Sequence, residues 1–293
     1  MWVAWVALAF LPFRVQNGKM TSEQIDALWN IDDAAGGLPR LRAALADHPG
    51  SADEIHTQIC RCLGLQRKFA EGWDELGKVS ASPSAVVAVR VQLESGRLKN
   101  TSGDKRGAEP YFRQALDLAR AGHFDYYAVD AAHMLAIVTS GTESIKWNED
   151  ALRMAALSKD ARARKWRGSL LNNLGWTYHD GGDFGKALEK FEAARSFQME
   201  SGDAVSVRIG NWAVARCLRS MKRFEEALTI LRDLVRFPEK GYASEELAEN
   251  LLALGRADEA KLHFRRAYEL LSADKYLAEH EAGRLRRLRE LAQ

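Results

Sequence analysis

Residues 171–194 read LNNLGWTYHDGGDFGKALEKFEAA, and the fold is decided in this stretch. Leu171, Leu174 and Tyr178 are spaced three and four apart, the apolar stripe of one helix face. Gly181-Gly182-Asp183 then breaks the pattern. A second helical stripe follows in Ala187, Phe191 and Ala194. Gly175 and Ala187 lie twelve positions apart, where a helix folding back would cross its predecessor, and small side chains there let two helices approach closely. The stretch predicts an antiparallel helical hairpin.

The same signal returns elsewhere. Besides GDFGKAL at 182–188, the segments RKFAEGW (67–73), GDKRGAE (103–109), KRFEEAL (222–228) and GRADEAK (255–261) each combine a tight turn, a helix start and a small residue. The small residues Gly72, Ala108, Ala187, Ala227 and Ala260 have partners twelve positions earlier in Cys60, Gly96, Gly175, Ala215 and Ala248. Leu76, Phe112, Phe191, Leu231 and Phe264 follow four later, and Val79, Ala115, Ala194, Leu234 and Ala267 seven later. These would fill the space between hairpins. A fixed period of this kind is the mark of a stacked array.

Leu171, Leu174, Gly175, Tyr178, Ala187, Phe191 and Ala194 make the chain resemble the tetratricopeptide-repeat family, across roughly residues 51–271. The resemblance implies an all-α, right-handed α-solenoid of antiparallel helical hairpins. The small residues are 36, 79, 40 and 33 apart rather than a steady interval, similar to bacterial members with some longer repeats. The interval of 79 leaves room for a degenerate hairpin, with Ala131–Ala136 in its first helix and Trp147–Ala156 in its second. About six hairpins are expected over residues 51–272. A lead-in hairpin is expected over 20–50, broken at Gly36-Gly37-Leu38-Pro39, and an arginine-rich capping helix over 273–293. Residues 1–19 begin with the apolar run MWVAWVALAFLPF, too short to span a bilayer. It is read as untranslated sequence ahead of a start at Met20, or as a weak anchor.

Composition narrows the function. Lysine and arginine number 42 against 40 aspartates and glutamates, a net charge of +2, which gives no electrostatic case for nucleic acid. Cys60, Cys62 and Cys217 have no partner at metal spacing and are expected to be reduced, apolar helix residues of a cytoplasmic protein. No HExxH, glycine-rich phosphate loop or nucleophile elbow occurs. Asp130 and His133 lie one helical turn apart and His179 adjoins Asp180, but isolated histidines on helices are chiefly structural. Neither enzymatic activity nor a cofactor is expected.

In the resembled family the first helix of each hairpin lines a concave face. With Leu171, Leu174, Gly175 and Tyr178 buried, the stripe Ser169, Asn172, Trp176, His179 must face elsewhere. The repeat offset carries it to Ile209, Trp212, Arg216, Arg219 and to Tyr242, Glu245, Glu249, Leu252. Towards the N-terminus it becomes Asp130, His133, Ile137, then Arg90, Leu93, Arg97, Asn100, then Glu54, Thr57, Arg61. Arginine offers a planar fork to carboxylates, and tryptophan and arginine often dominate binding energy. The candidate partner-binding residues are therefore Arg61, Arg90, Arg97, Asn100, Asp130, His133, Asn172, Trp176, His179, Trp212, Arg216 and Arg219. The expected ligand is a protein segment or peptide with acidic groups or a free C-terminal carboxylate, and the chain a scaffold or adaptor. The alternative is a stand-alone regulatory sensor of a short peptide. For Trp176 and Trp212 plain helix packing is the competing account, and for Arg216 and Arg219 pairing with Glu245 and Glu249.

Overall fold

The computed structural model describes residues 18–79, 81–238 and 241–293; the apolar run at the N-terminus lies outside them. The described residues form α-helices joined by short turns, with two single-turn 3-10 segments and no strand. Two compact units divide at Phe124/Asp125.

The first unit opens with α1 (Ser22–Asp26), which is started by a capping box: the Thr21 hydroxyl accepts from the Gln24 amide while the Thr21 amide donates to the Gln24 side chain. Helix α2 (Ala34–Asp47) runs straight through the glycines and proline expected to break it. Two successive caps explain this. The Asn30 side chain accepts from the Asp33 amide, and Asp33 in turn accepts from the Gly36 amide, so helix is nucleated upstream of Gly36. Gly37 serves packing: a Cβ there would lie 2.4 Å from the Trp29 Cβ. Trp29 also donates its indole N–H to Gln58, tying the lead-in to the array. Two hairpins follow, α3 (Ala52–Leu65) with α4 (Phe69–Gly77) and α5 (Ala85–Thr101) with α6 (Lys105–Ala121).

The second unit stacks four hairpins. They pair α7 (Asp125–Val138) with α8 (Gly141–Leu157), α9 (Ala161–Asp180) with α10 (Phe184–Ser201), α11 (Ala204–Ser220) with α12 (Phe224–Leu234), and α13 (Tyr242–Ala253) with α14 (Ala257–Leu271). Short α15 (Lys275–His280) and α16 (Ala282–Leu291) close it, with Leu285 and Leu288 buried in the same core as Leu247, Leu251 and Phe264.

Five of these hairpins turn in the same way. The first residue of each recurring segment is the one with left-handed backbone: Arg67, Gly103, Gly182, Lys222 and Gly255. In each turn the following amide donates to a carbonyl five residues back, as in Asp183 to Tyr178 and Arg223 to Leu218. This closure satisfies the carbonyls that a helix end leaves open. At Gly182 (φ 80°) glycine meets the geometry without strain, whereas Lys222 (φ 59°) accepts a side-chain clash. The crossings are tight where expected. A Cβ on Gly96 would come within 2.5 Å of the Phe112 ring, and one on Gly175 within 2.5 Å of the Phe191 ring.

The hairpin α7/α8 sits in the long interval, as its residues suggested. It departs chemically because α8 buries Ser144, Asn148, Ala151 and Ala155 instead of a phenylalanine or leucine series. Ser144 donates its hydroxyl to the Ala136 carbonyl, so a hydrogen bond stands where others have ring packing. Between hairpins, aspartate caps take over the role of the missing prolines: Asp160 accepts from Arg162 and Asp203 from Val205 and Ser206.

Candidate functional site

Within the first unit the predicted residues separate into two environments. Arg90 is 2% exposed, with its guanidinium 2.9 Å from Asp26 and 3.4 Å from Glu54. Ser22 also donates to Glu54 at 2.6 Å. Arg90 therefore staples α1 onto α3 and α5 and presents nothing to a partner, contrary to the expectation from periodicity. Arg97 and Arg61 flank the buried Glu94, at 2.5 Å and 3.9 Å. Both arginines are half-buried, as is Asn100 in the last turn of α5.

Within the second unit the first helices of successive hairpins bring aromatic rings into one run. Trp176 of α9 lies 5.8 Å from Trp212 of α11, and Trp212 lies 6.4 Å from Tyr242 of α13. These distances suit tilted and edge-on aromatic pairs. Trp212 donates its indole N–H to the Tyr242 carbonyl at 3.2 Å, which fixes that ring. Trp176 also packs edge-on against Phe191, 4.9 Å away, and against His179 at 5.3 Å. Both tryptophans are half-buried, so packing and presentation are combined in the same side chains.

Beside this run lies a charged cleft of about 460 Å³, walled by Trp212 and Tyr242. Arg219 grips both oxygens of Glu246, and Arg216 stands 3.6 Å from the same carboxylate. Glu245 and Glu249, the partners that the competing account gave these arginines, are taken instead by Arg284 and Arg287 of α16. Four guanidiniums thus face three carboxylates, and Arg216, one third exposed, has only the longest contact. Burial pushes the Glu246 carboxyl up to about 6, with Arg219 opposing the rise.

The remaining candidates fall nearer the start of the unit. Asp130 is 5% exposed and faces inward, which corrects its placement on the binding face. His133 is half-buried, 5.1 Å from the Trp166 ring and 3.4 Å from the amide of Asn173. The amide that meets His133 belongs to Asn173, which is not among the candidates, and the candidate Asn172 is half-buried beside it.

His179 donates from Nε2 to the Ser220 hydroxyl at 2.8 Å, that hydroxyl's one proton being turned to the Arg216 carbonyl, and lies 3.6 Å from Asp180. This trio is not a nucleophilic site. Ser220 also donates back to the Arg216 carbonyl, and Asp180 is 81% exposed. Among the described residues no three histidine, cysteine, aspartate or glutamate side chains group as a metal site. No described helix is long and apolar enough to cross a membrane.

Trp166, Glu246, Arg284 and Arg287 were missed from sequence. The signal existed for Arg284: it follows Glu245 by 39 residues, one long-repeat offset further along. Reading α16 purely as a cap hid it.

Comparison with known proteins agrees with this architecture. No protein-family profile and no curated protein sequence matches the chain. Solved structures do. The apo form of RapI is 10% identical with a TM-score of 0.69, over 86% of this chain and 75% of its own. A tetratricopeptide-repeat protein from Parabacteroides merdae is 13% identical with a TM-score of 0.52, over 92% and 96%. NprR in complex with its cognate peptide NprX is 14% identical with a TM-score of 0.55, over 92% and 82%. The chain has the tetratricopeptide-repeat fold, an all-α solenoid of antiparallel hairpins.

Proposed function

We propose that the face formed by α9, α11 and α13 in the second unit binds an extended segment of a protein or a peptide. One observation carries the reading: the aromatic run Trp176–Trp212–Tyr242 borders a cleft whose surplus cation, Arg216, lacks a close carboxylate of its own. Rigid aromatic walls supply contact area at low entropic cost, and a guanidinium supplies a bidentate dock for a carboxylate. The ligand's carboxylate is an acidic side chain or a free C-terminus. His179 and Asn172 extend this face along α9, whereas Arg61 and Arg97, paired with the buried Glu94, and Asn100 belong to the first unit. NprR, similar in fold, was solved with a bound peptide, which supports a peptide-sized ligand. The chain then acts as a scaffold or adaptor, and its buried, unpaired cysteines fit the cytoplasm.

The test is affinity purification of the full chain with mass spectrometry of what co-purifies, alongside Arg216→Gln and Trp212→Leu. Loss of the same partner from both variants, with helix content and melting unchanged, is the expected outcome. Undiminished recovery from both variants would refute it. A short bound peptide rather than an intact protein favours the sensor reading, to which the NprR likeness lends its support.

A further inference from the structure

Glu246 lines the charged cleft and yet is only 4% exposed. From α11, Arg219 grips both of its oxygens and Arg216 stands 3.6 Å away. On α13 itself, Asn250 donates its amide to the Glu246 carbonyl and reaches the carboxylate only at 3.5 Å. Glu245 and Glu249, on the same helix, add their negative charge to this surrounding. From α16, Arg284 and Arg287 face the cleft, but they hold Glu245 and Glu249. Among the described residues no side chain of α12 or α14, the other helices packed on α13, lines the cleft. Glu246 is therefore a carboxylate largely withdrawn from water, and it shares its guanidiniums with an open cavity.

The docking site inferred above asks Arg216 to meet a second carboxylate while Glu246 is still beside it. One guanidinium serving two carboxylates holds them close together. Like charges in a poorly solvated site oppose each other's ionisation, so one of the two tends to take up a proton. Glu246 is the one already biased that way, because burial has pushed its carboxyl up to about 6. Linkage is reciprocal: if the ligand favours the proton, the proton favours the ligand by the same factor.

We propose that Glu246 gates the inner-face site, taking up a proton from solvent as an acidic ligand takes Arg216, so that binding tightens as pH falls. This rests on the reading of the inner face as a docking site and adds its regulation. Should the ligand's charge raise the Glu246 carboxyl one further unit above 6, affinity gains about sixfold between pH 7.5 and 5.5. Histidine changes charge over the same range, and His179 reaches α11 through its hydrogen bond to Ser220, so its share has to be separated.

The probe is an acetylated aspartate octapeptide carrying a rhodamine label, titrated into the full chain at pH 7.5, 6.5 and 5.5 at constant ionic strength and read by anisotropy. Aspartate keeps its charge throughout. Wild-type affinity is expected to rise severalfold towards pH 5.5. Glu246→Gln should bind at pH 7.5 as tightly as wild type does at pH 5.5 and lose most of the pH dependence, whereas His179→Gln should keep it. Calorimetry of the wild type at pH 6.5, in two buffers of different ionisation enthalpy, should record proton uptake on binding. Arg216→Gln should remove most of the binding at every pH. No binding, or binding that Arg216→Gln leaves intact, would refute the docking site and this coupling with it. Binding that needs Arg216 but is constant with pH, stays pH-dependent in Glu246→Gln, or takes up no proton would overturn the coupling alone and leave the docking site standing.

Discussion

Replacing Gly175 by alanine tests the crossing on which the hairpin architecture depends. The added Cβ would lie 2.5 Å from two atoms of the Phe191 ring, and Phe191 is fully buried between α9 and its neighbours. Contact at that distance is repulsive, and a ring with no exposed side has no empty rotamer to enter. Overpacking of this kind costs about 1–3 kcal/mol. Alanine recovers up to about 1 kcal/mol through its better helix propensity. The net expectation is a loss of about 1–2 kcal/mol, or several degrees in Tm for a unit of this size. Thermal unfolding by circular dichroism measures it, with Gly283→Ala in α16 as the control. A Cβ at Gly283 meets nothing within 4 Å, so that variant should be neutral or slightly stabilised. Combining Gly175→Ala with Phe191→Leu should cost less than the sum of the two, because the smaller side chain relieves the contact. The buried pair Ala248 and Phe264 shows that another hairpin of this chain is built around alanine, at a spacing that admits its Cβ. If α9 and α10 can adopt that spacing freely, Gly175→Ala will melt at or above the parent temperature, and the close-crossing argument is then wrong.

Three further outcomes follow from features of the same structure. Lys222→Gly should raise stability by about 0.5–1 kcal/mol, because glycine removes the left-handed strain at φ 59°; an unchanged or lower Tm would count against it. The three thiols are fully buried, and burial pushes Cys62 up to about 12 and Cys217 up to about 11, with Cys60 raised further still. None should react with a colorimetric disulfide reagent at pH 8 until denaturant is added, and rapid native labelling would contradict the packing. Glu246 has its carboxyl raised by burial to about 6 from 4.5, so its contribution is complete below about pH 4.5 and is lost as pH rises through 6. Wild type should therefore gain on the order of 2 kcal/mol relative to Glu246→Gln between pH 7 and 4.5, measured by denaturant titration, and a difference constant with pH would exclude the shift.

Periodicity and turn chemistry are local, and what depended on them was legible. The segments at 67, 103, 182, 222 and 255 begin on the left-handed residue of a real turn, and their small residues mark real crossings. The hairpin α7/α8 could be bracketed but not recognised, because Ser144 and the polar Asn148, four apart, stand where the other hairpins have a small residue and a large apolar one. The lead-in was misjudged at Gly36-Gly37 because glycine there answers to Trp29 and the Asp33 cap, both outside the window that a breaker rule considers. The site divides in the same way. An offset of one repeat placed Trp176, Trp212 and Arg216 on one side of successive helices, since it reports which face of a helix a residue occupies. It could not report what covers that face. Arg90 shares the stripe yet is sealed by α1, whose Asp26 lies 64 residues away in sequence.

Helix α16 takes the position that another hairpin's opening helix would hold, with Leu285 and Leu288 in the core and Arg284 and Arg287 clasping Glu245 and Glu249. Stacked repeats have no intrinsic length limit, and an open terminus invites end-to-end polymerisation. Growth at this end would first have to evict two leucines and strand two carboxylates together. The closing arginines thus make the end of the stack a matter of charge as well as apolar cover, and a truncation before Ala282 should expose that core face and lower solubility.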